Sequence, residues 1–145
     1  MNMFIGEYHH LIDEKNRLAV PAKFRARLDT GAVVTRGLDG SLVLYPKSEW
    51  EKLAEKLSQL PINQSNNRAF TRHMLAGAMD VSLDSQGRIV LPDYLKQYAG
   101  IKKNVVIAGL YTRLEIWDEK AWNTYKTKTE KDSDEIAENL GQLGI

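Results

Sequence analysis

Two arginines stand four residues after an aspartate in closely similar settings: Asp13-Glu-Lys-Asn-Arg17 and Asp84-Ser-Gln-Gly-Arg88. Each arginine is followed by three apolar residues and a proline, Pro21 or Pro92. An aspartate at the start of a turn accepts backbone N–H bonds, and a guanidinium offers a fork of donors to a base edge or a phosphate. The pattern supports two readings. In one, Arg17 and Arg88 close ion pairs across a hairpin and serve structure. In the other, Asp13 and Asp84 shape the tip while the arginines project from it to a nucleic acid. The readings are compatible, and a tip presented twice in related poses resembles bivalent recognition. Asn16 and Gly87 hold equivalent places before the arginines, and both residue types tolerate the positive φ of a tight hairpin.

Other chemistries find little support. The absence of cysteine removes thiol nucleophiles, disulfides and Cys-based zinc sites. His9 and His10 are adjacent, so on a strand they face opposite sides, and His73 stands alone. Gly37-Leu-Asp-Gly40 lacks the lysine of a phosphate loop, no Gly-x-Ser-x-Gly elbow occurs, and the carboxylates form no pair. No catalytic residue, metal site or cofactor is therefore assigned, and a small β-barrel enzyme is the weakest functional class.

With 20 basic and 19 acidic residues in 145, the net charge of +1 excludes a polybasic nucleic-acid binder but leaves room for a local patch. Residues 15–36 hold such a patch. Lys15, Arg17, Lys23, Arg25, Arg27 and Arg36 face only Asp29, and including Asp13 and Glu14 lowers the excess to three. A charge run is often just a solvated face. The second tip has only Arg88, Lys96, Lys102, Lys103 and Arg113 nearby in sequence, so the two tips are expected to contribute unequally. The acidic stretch 118–138 should point away from phosphate.

The elements that must position these tips follow from an internal repeat. At an offset of 71, Gly6 to Arg25 lies over Gly77 to Lys96. After one residue of slippage, Val33-Val34-Thr-Arg-Gly37-Leu38 lies over Val105-Val106-Ile-Ala-Gly109-Leu110, and Trp50 over Trp122. Each copy reads as an alternating strand, the tip, a short strand, a short helix after the proline, and two strands: 33–36 with 41–45, and 105–108 with 113–117. The connections between these last pairs carry Gly37-Leu-Asp-Gly40 and Gly109-Leu-Tyr-Thr112. Between the copies, Trp50, Leu53, Leu57 and Leu60 have helical spacing, and Asn66 or Asn67 is expected to cap a second helix. Trp122 and Tyr125 suggest another helix, and Ser133 is expected to cap a last one through Leu140. The fold class is α+β. The expected organisation is a first unit at 5–50, a helical connector at 51–75, a second unit at 76–122 and a helical tail at 123–145. A unit of this size cannot bury enough surface alone, so the two should pack face to face, with the helices covering sheet edges or mediating assembly.

Met3 to Tyr8, the run Asp13 to Arg25 with Val-Pro-Ala-Lys-Phe-Arg, Thr35-Arg-Gly-Leu-Asp39, Arg68-Ala-Phe-Thr-Arg72 and Asp84-x-Gln-Gly-Arg88 together resemble the MraZ family over essentially the whole chain. The resemblance implies two tandem pseudo-symmetric AbrB/SpoVT-like units and a ring-shaped homo-oligomer. It implies a transcriptional regulator of the division and cell-wall gene cluster, binding short tandem repeats of promoter DNA. Arg17 and Arg88 would face the DNA, joined by Lys15, Asn16, Gln86, Lys23 and Arg25, while Asp13, Asp84 and Gly87 would shape the tips. Asn16 departs from the glycine more usual at that position, and the hairpin should survive the change. The alternative is an antitoxin-like protein-interaction module of AbrB-type fold, with the 118–140 helices as its partner surface. Neither a signal-peptide core nor an apolar run of about 18 residues is present, so a cytoplasmic protein without a membrane partner is expected, and the resemblance implies association with the nucleoid.

Overall fold

The first strand of each unit leaves its own unit and pairs with the other. In the computed structural model, which describes residues 3–145, β1 (Phe4–Leu11), β2 (Arg17–Ala19), β3 (Ala32–Arg36) and β4 (Leu42–Pro46) belong to the first unit. Their counterparts are β5 (Met79–Val81), β6 (Arg88–Val90), β7 (Asn104–Tyr111) and β8 (Leu114–Asp118). β1 runs antiparallel to β7, and β5 to β3. The hairpins β3–β4 and β7–β8 stay within their units and join along β4–β8. The resulting order, β1-β7-β8-β4-β3-β5, reads the same from either end once each strand is exchanged for its repeat partner. β2 and β6 form a separate two-stranded ribbon. Within the first unit, the bridge Ile12–Leu18 and the Asp13 N–H bond to the Arg17 carbonyl link the two sides of the first tip.

This corrects the expectation of two bodies packed face to face. Neither unit alone has enough strands to close a core, and exchanging the arms builds one six-stranded sheet that both share. One sheet face presents Phe4, Val34, Leu42, Leu44, Val105, Ile107, Leu114 and Ile116. It is covered by Leu18 and Ile89 of the ribbon, by Phe24 and Leu28 of a 3-10 helix (Ala22–Leu28), and by Leu95 of α3 (Asp93–Tyr98) among the described helices. Phe24 meets the rings of Phe4 and Tyr8 edge-on at 5.1 and 5.4 Å, a favoured aromatic geometry. Strand alternation sends Val33, Val43, Val106 and Trp117 to the opposite face.

That second face is where the helices lie. α1 (Lys47–Ser58) packs on β3 and β4, and the helix that follows β8, Glu119–Lys131, packs on β7 and β8. Each is anchored by an equivalent aromatic pair: Tyr45–Trp50 with centroids 5.7 Å apart, and Trp117–Trp122 at 5.3 Å. The helices thus cover a sheet face and not its edges, because Tyr45 and Trp117 sit mid-sheet and leave an apolar surface that must be buried.

Three local expectations are also corrected. Gly109 is not in the turn that Gly37 occupies. β7 runs on to Tyr111, and Gly109 lies opposite Gly6 of β1. A Cβ there would stand 2.5 Å from the Ile5 backbone nitrogen, so the exchanged strand requires a glycine in β7. The helix after Pro61, α2 (Ser65–Thr71), is preceded by Gln64, which places Asn66 and Asn67 inside it. Asn67 Nδ2 instead donates to the Pro61 carbonyl at 2.9 Å. With the helix Glu119–Lys131 as α4, the final helix α5 (Ser133–Asn139) follows it with only Asp132 between. Ile136 N–H donates to the Asp132 carbonyl, so Asp132 precedes the helix and Ser133 is its first residue. Among the described residues, no helix is long and apolar enough to cross a membrane.

Candidate nucleic-acid interface

Each tip is a five-residue loop built around its aspartate. Asp13 Oδ1 accepts the backbone N–H groups of Lys15 and Arg17, both at 2.9 Å, and Asp13 Oδ2 accepts Arg17 Nε at 2.6 Å. Asp84 repeats the pattern with Gln86 N–H and Arg88 N–H at 2.9 Å and Arg88 Nε at 2.8 Å. Asn16 has φ of 60° and Gly87 of 75°, so both perform the left-handed turn expected of them. The structural reading of the motif is thus met in both tips. The aspartate and the Nε of the arginine form a structural clasp, and the clasp fixes the direction of the guanidinium. No partner is recorded for the terminal nitrogens of Arg17 or Arg88 among the described residues.

The ribbon brings the tips together. Arg17 is paired with Val90 and Arg88 with Ala19, while Leu18 and Ile89 between them turn into the core. Arg17, Ala19, Arg88 and Val90 therefore share the outer face. The two arginines are diagonal neighbours across the ribbon, about 7–8 Å apart. Val20 N–H donates to the Gly87 carbonyl and Leu91 N–H to the Asn16 carbonyl, so each tip is held by the strand of the other unit.

Two cations brace the tips from below, a role that sequence reasoning missed. Arg25 Nε donates to the Val20 carbonyl at 2.9 Å, and its guanidinium lies against Gly87, where any Cβ would overlap it. Its repeat equivalent, Lys96, donates to Asn16 Oδ1 at 3.1 Å, while Asn16 Nδ2 donates to Asp93 Oδ1 at 2.6 Å. Each unit thus supports the tip of the other. The alignment of Arg25 over Lys96 was the available signal, but only the exchanged strands show which tip each one reaches.

The remaining predicted residues separate. Lys15 and Gln86 are exposed at the tip crests. The Lys23 ammonium stands 5.0 Å from the centre of the Tyr8 ring and 5.3 Å from that of Phe24, over the core rather than the ribbon. Two members of the sequence patch face elsewhere. Arg27 stacks on Phe4 at 4.1 Å and donates to the Tyr111 carbonyl, and Arg36 donates to the carbonyls of Arg72 and His73 in the connector. His10 lies on the opposite strand face from His9, and burial, then Arg25 and His9, hold its pKa below 6.5.

The clasps also set a pH dependence. Backbone N–H bonds from Arg17 and Arg88, helped by their side chains and by the Lys15 and Gln86 N–H groups, keep the Asp13 and Asp84 carboxyls below the ordinary 3.8 against an opposing desolvation. A carboxyl with a depressed folded pKa contributes stability above its unfolded pKa and loses it as pH falls through the folded one. Thermal melts should show this contribution intact from pH 5 to 8 and lost progressively below about 3.8. The double substitution Asp13→Asn, Asp84→Asn should flatten that acid limb. An unchanged limb would place the acid sensitivity elsewhere.

The arrangement offers two outward-facing arginines on a two-stranded β-ribbon, an element that a DNA major groove of about 12 Å admits. Comparison with known proteins agrees with the sequence resemblance. The chain matches the family described as "MraZ protein, putative antitoxin-like" twice, over residues 3–73 and 74–143. It is 50% identical over 143 residues to the transcriptional regulator MraZ of Pediococcus pentosaceus, covering 99% of this chain and 100% of the relative. The MraZ regulators of Clostridium acetobutylicum and Syntrophomonas wolfei are 47% and 46% identical, with the same coverage. The name these relatives carry is that of a regulator and not of an enzyme.

Proposed function

This chain belongs to the MraZ family, and from that premise we propose that it is a transcriptional regulator that binds double-stranded promoter DNA through the outer face of the β2–β6 ribbon. The supporting observation is that Arg17 and Arg88, from different units, share one outward face and are each aimed by an aspartate clasp. Arg17 and Arg88 contact base edges, and Lys15 and Gln86 contact the backbone at the crests. Asn16 and Arg25 act through the shape of the tips, Lys23 lies at the margin, and Asp13, Asp84 and Gly87 form the tips. The DNA consists of short tandem repeats upstream of the division and cell-wall gene cluster. A ring-shaped homo-oligomer engages several of them at once, and the protein is associated with the nucleoid.

A fluorescence-anisotropy titration with DNA from upstream of the protein's own gene, beside a scrambled duplex, tests this. The expected result is a clear preference for the promoter, with affinity that falls steeply as salt rises. Equal weak binding to both duplexes would return the tips to a purely structural role.

The antitoxin-like reading has one observation of its own: Ile136, Leu140 and Leu143 are exposed on the C-terminal helices. It would gain ground if a stoichiometric protein partner were recovered and Arg17→Ala had no effect on its capture.

A further inference from the structure

The exchange of arms places the loop after α3 beside the first tip, although it belongs to the second unit. Gly100, with φ of 63°, turns the chain out of α3. Leu11 then pairs with Asn104, and the Ile12 N–H donates to the Lys103 carbonyl at 2.9 Å. A hollow between loop and tip is lined by Leu11, Asp13, Glu14, Lys96, Lys102 and Lys103. Lys102 and Lys103 are exposed, and neither side chain has a hydrogen-bond or ion-pair partner among the described residues.

The equivalent loop of the first unit, just before β3, carries different charges. The repeat places Asp29, Thr30 and Gly31 where the first tip has Gly100, Lys102 and Lys103, so a carboxylate is present and the two cations are missing. The crests differ in the same sense, with Lys15 on the first and Gln86 on the second. The other charges are already engaged. Asp13 and Asp84 clasp their arginines, Asp93 and Lys96 both hold Asn16, and Arg25 holds the Val20 carbonyl. Among the described residues, three cations without a partner therefore stand about the first tip, Lys15, Lys102 and Lys103, with Glu14 beside them. Asp118 and Glu119 share a second hollow with the two loop lysines. In the equivalent loop of the first unit, by contrast, the Lys47 backbone N–H donates to the Gly31 carbonyl, and the loop carries Asp29.

We infer that Lys102 and Lys103 form a phosphate-binding flank for the first tip, lent by the second unit, so that the first tip supplies most of the electrostatic hold on DNA and the second reads with little of it. This rests on the DNA-binding role proposed above. Phosphate contacts position a protein without carrying sequence information, whereas base contacts specify. The flank accordingly governs salt dependence, and the arginines govern selectivity.

The test compares the wild type, Lys102→Gln/Lys103→Gln, Lys102→Arg/Lys103→Arg and Arg17→Ala on promoter and scrambled duplexes between 50 and 200 mM salt. Removing two phosphate contacts should lower the slope of log affinity against log salt by about 1.8 per engaged subunit, so that the fourfold rise in salt costs about 12-fold less affinity than in the wild type. The ratio of promoter to scrambled binding should stay unchanged, the arginine pair should restore the slope, and melting temperatures should match. Arg17→Ala should do the reverse, losing the promoter preference. An unchanged slope in the glutamine pair, with the preference still lost in Arg17→Ala, overturns the flank and leaves the DNA-binding site standing. A wild type that shows neither preference nor salt dependence overturns both.

Discussion

Promoter DNA carrying three boxes in their natural spacing should bind this protein about a hundredfold more tightly than DNA carrying one. The charge of the chain compels this expectation if the protein regulates transcription as proposed. A net charge of +1 gives little non-specific attraction per subunit. Linking several weak sites in one assembly makes each later contact intramolecular, with effective concentrations in the millimolar range and avidity gains of about 10²–10⁴. Anisotropy titrations with one, two and three boxes read the gain directly. Changing the spacing between boxes by half a helical turn should abolish it, because boxes on opposite faces of the duplex cannot be engaged together. Equal affinity for one box and three would remove avidity from the account, and with it the need for a ring.

Replacing Arg17 by alanine should cost more binding than replacing Lys15, by about 1–3 kcal/mol for each engaged subunit if the guanidinium makes a bidentate base contact. The structure sharpens this comparison. Lys15 is exposed on a crest with nothing to hold its side chain among the described residues, whereas the Asp13 clasp holds Arg17 in one direction. Arg88 is held in the same way, so Arg88→Ala should also weaken binding. Neither substitution should unfold the protein. The Asp13 and Asp84 carboxylates keep their backbone N–H partners without the arginine side chain, and an exposed ion pair adds little to stability. Circular dichroism and DNA binding must therefore be measured on the same samples. A melted Arg88→Ala variant would make that residue a structural one, and unaltered binding by a folded Arg17→Ala variant would take the arginine off the DNA.

Much of the local structure was legible because the repeat displays every device twice. The Asp-x-x-x-Arg loops, the positive φ at Asn16 and Gly87, the helix starts after Pro21 and Pro92 and the matched places of Trp50 and Trp122 each follow from residue type and spacing. Where the reading failed, the missing information lay far away in the chain. Gly109 looked like a turn residue beside Gly37, yet it is a strand residue that the close approach of β1 requires to be glycine. Arg27 and Arg36 looked like members of a tip patch, but they hold Phe4 and the connector, because a run of cations says nothing about which way each side chain turns.

The sequence alone shows two like units, each with an Asp-x-x-x-Arg turn and an apolar face that needs covering. Only the tertiary structure decided which unit supplies the cover. The strand patterns of the two copies are nearly interchangeable, so β1 satisfies its alternation equally well against the hairpin of its own unit or of the other. Choosing the other joins both hairpins into one sheet. It also draws β2 and β6 into a shared ribbon with Arg17 and Arg88 on one face, and carries Arg25, Lys96, Lys102 and Lys103 to tips far from them in the chain. Periodicity reports which face of a strand is buried, and it does not report the partner. That choice is made by the total surface buried, a property of the whole chain.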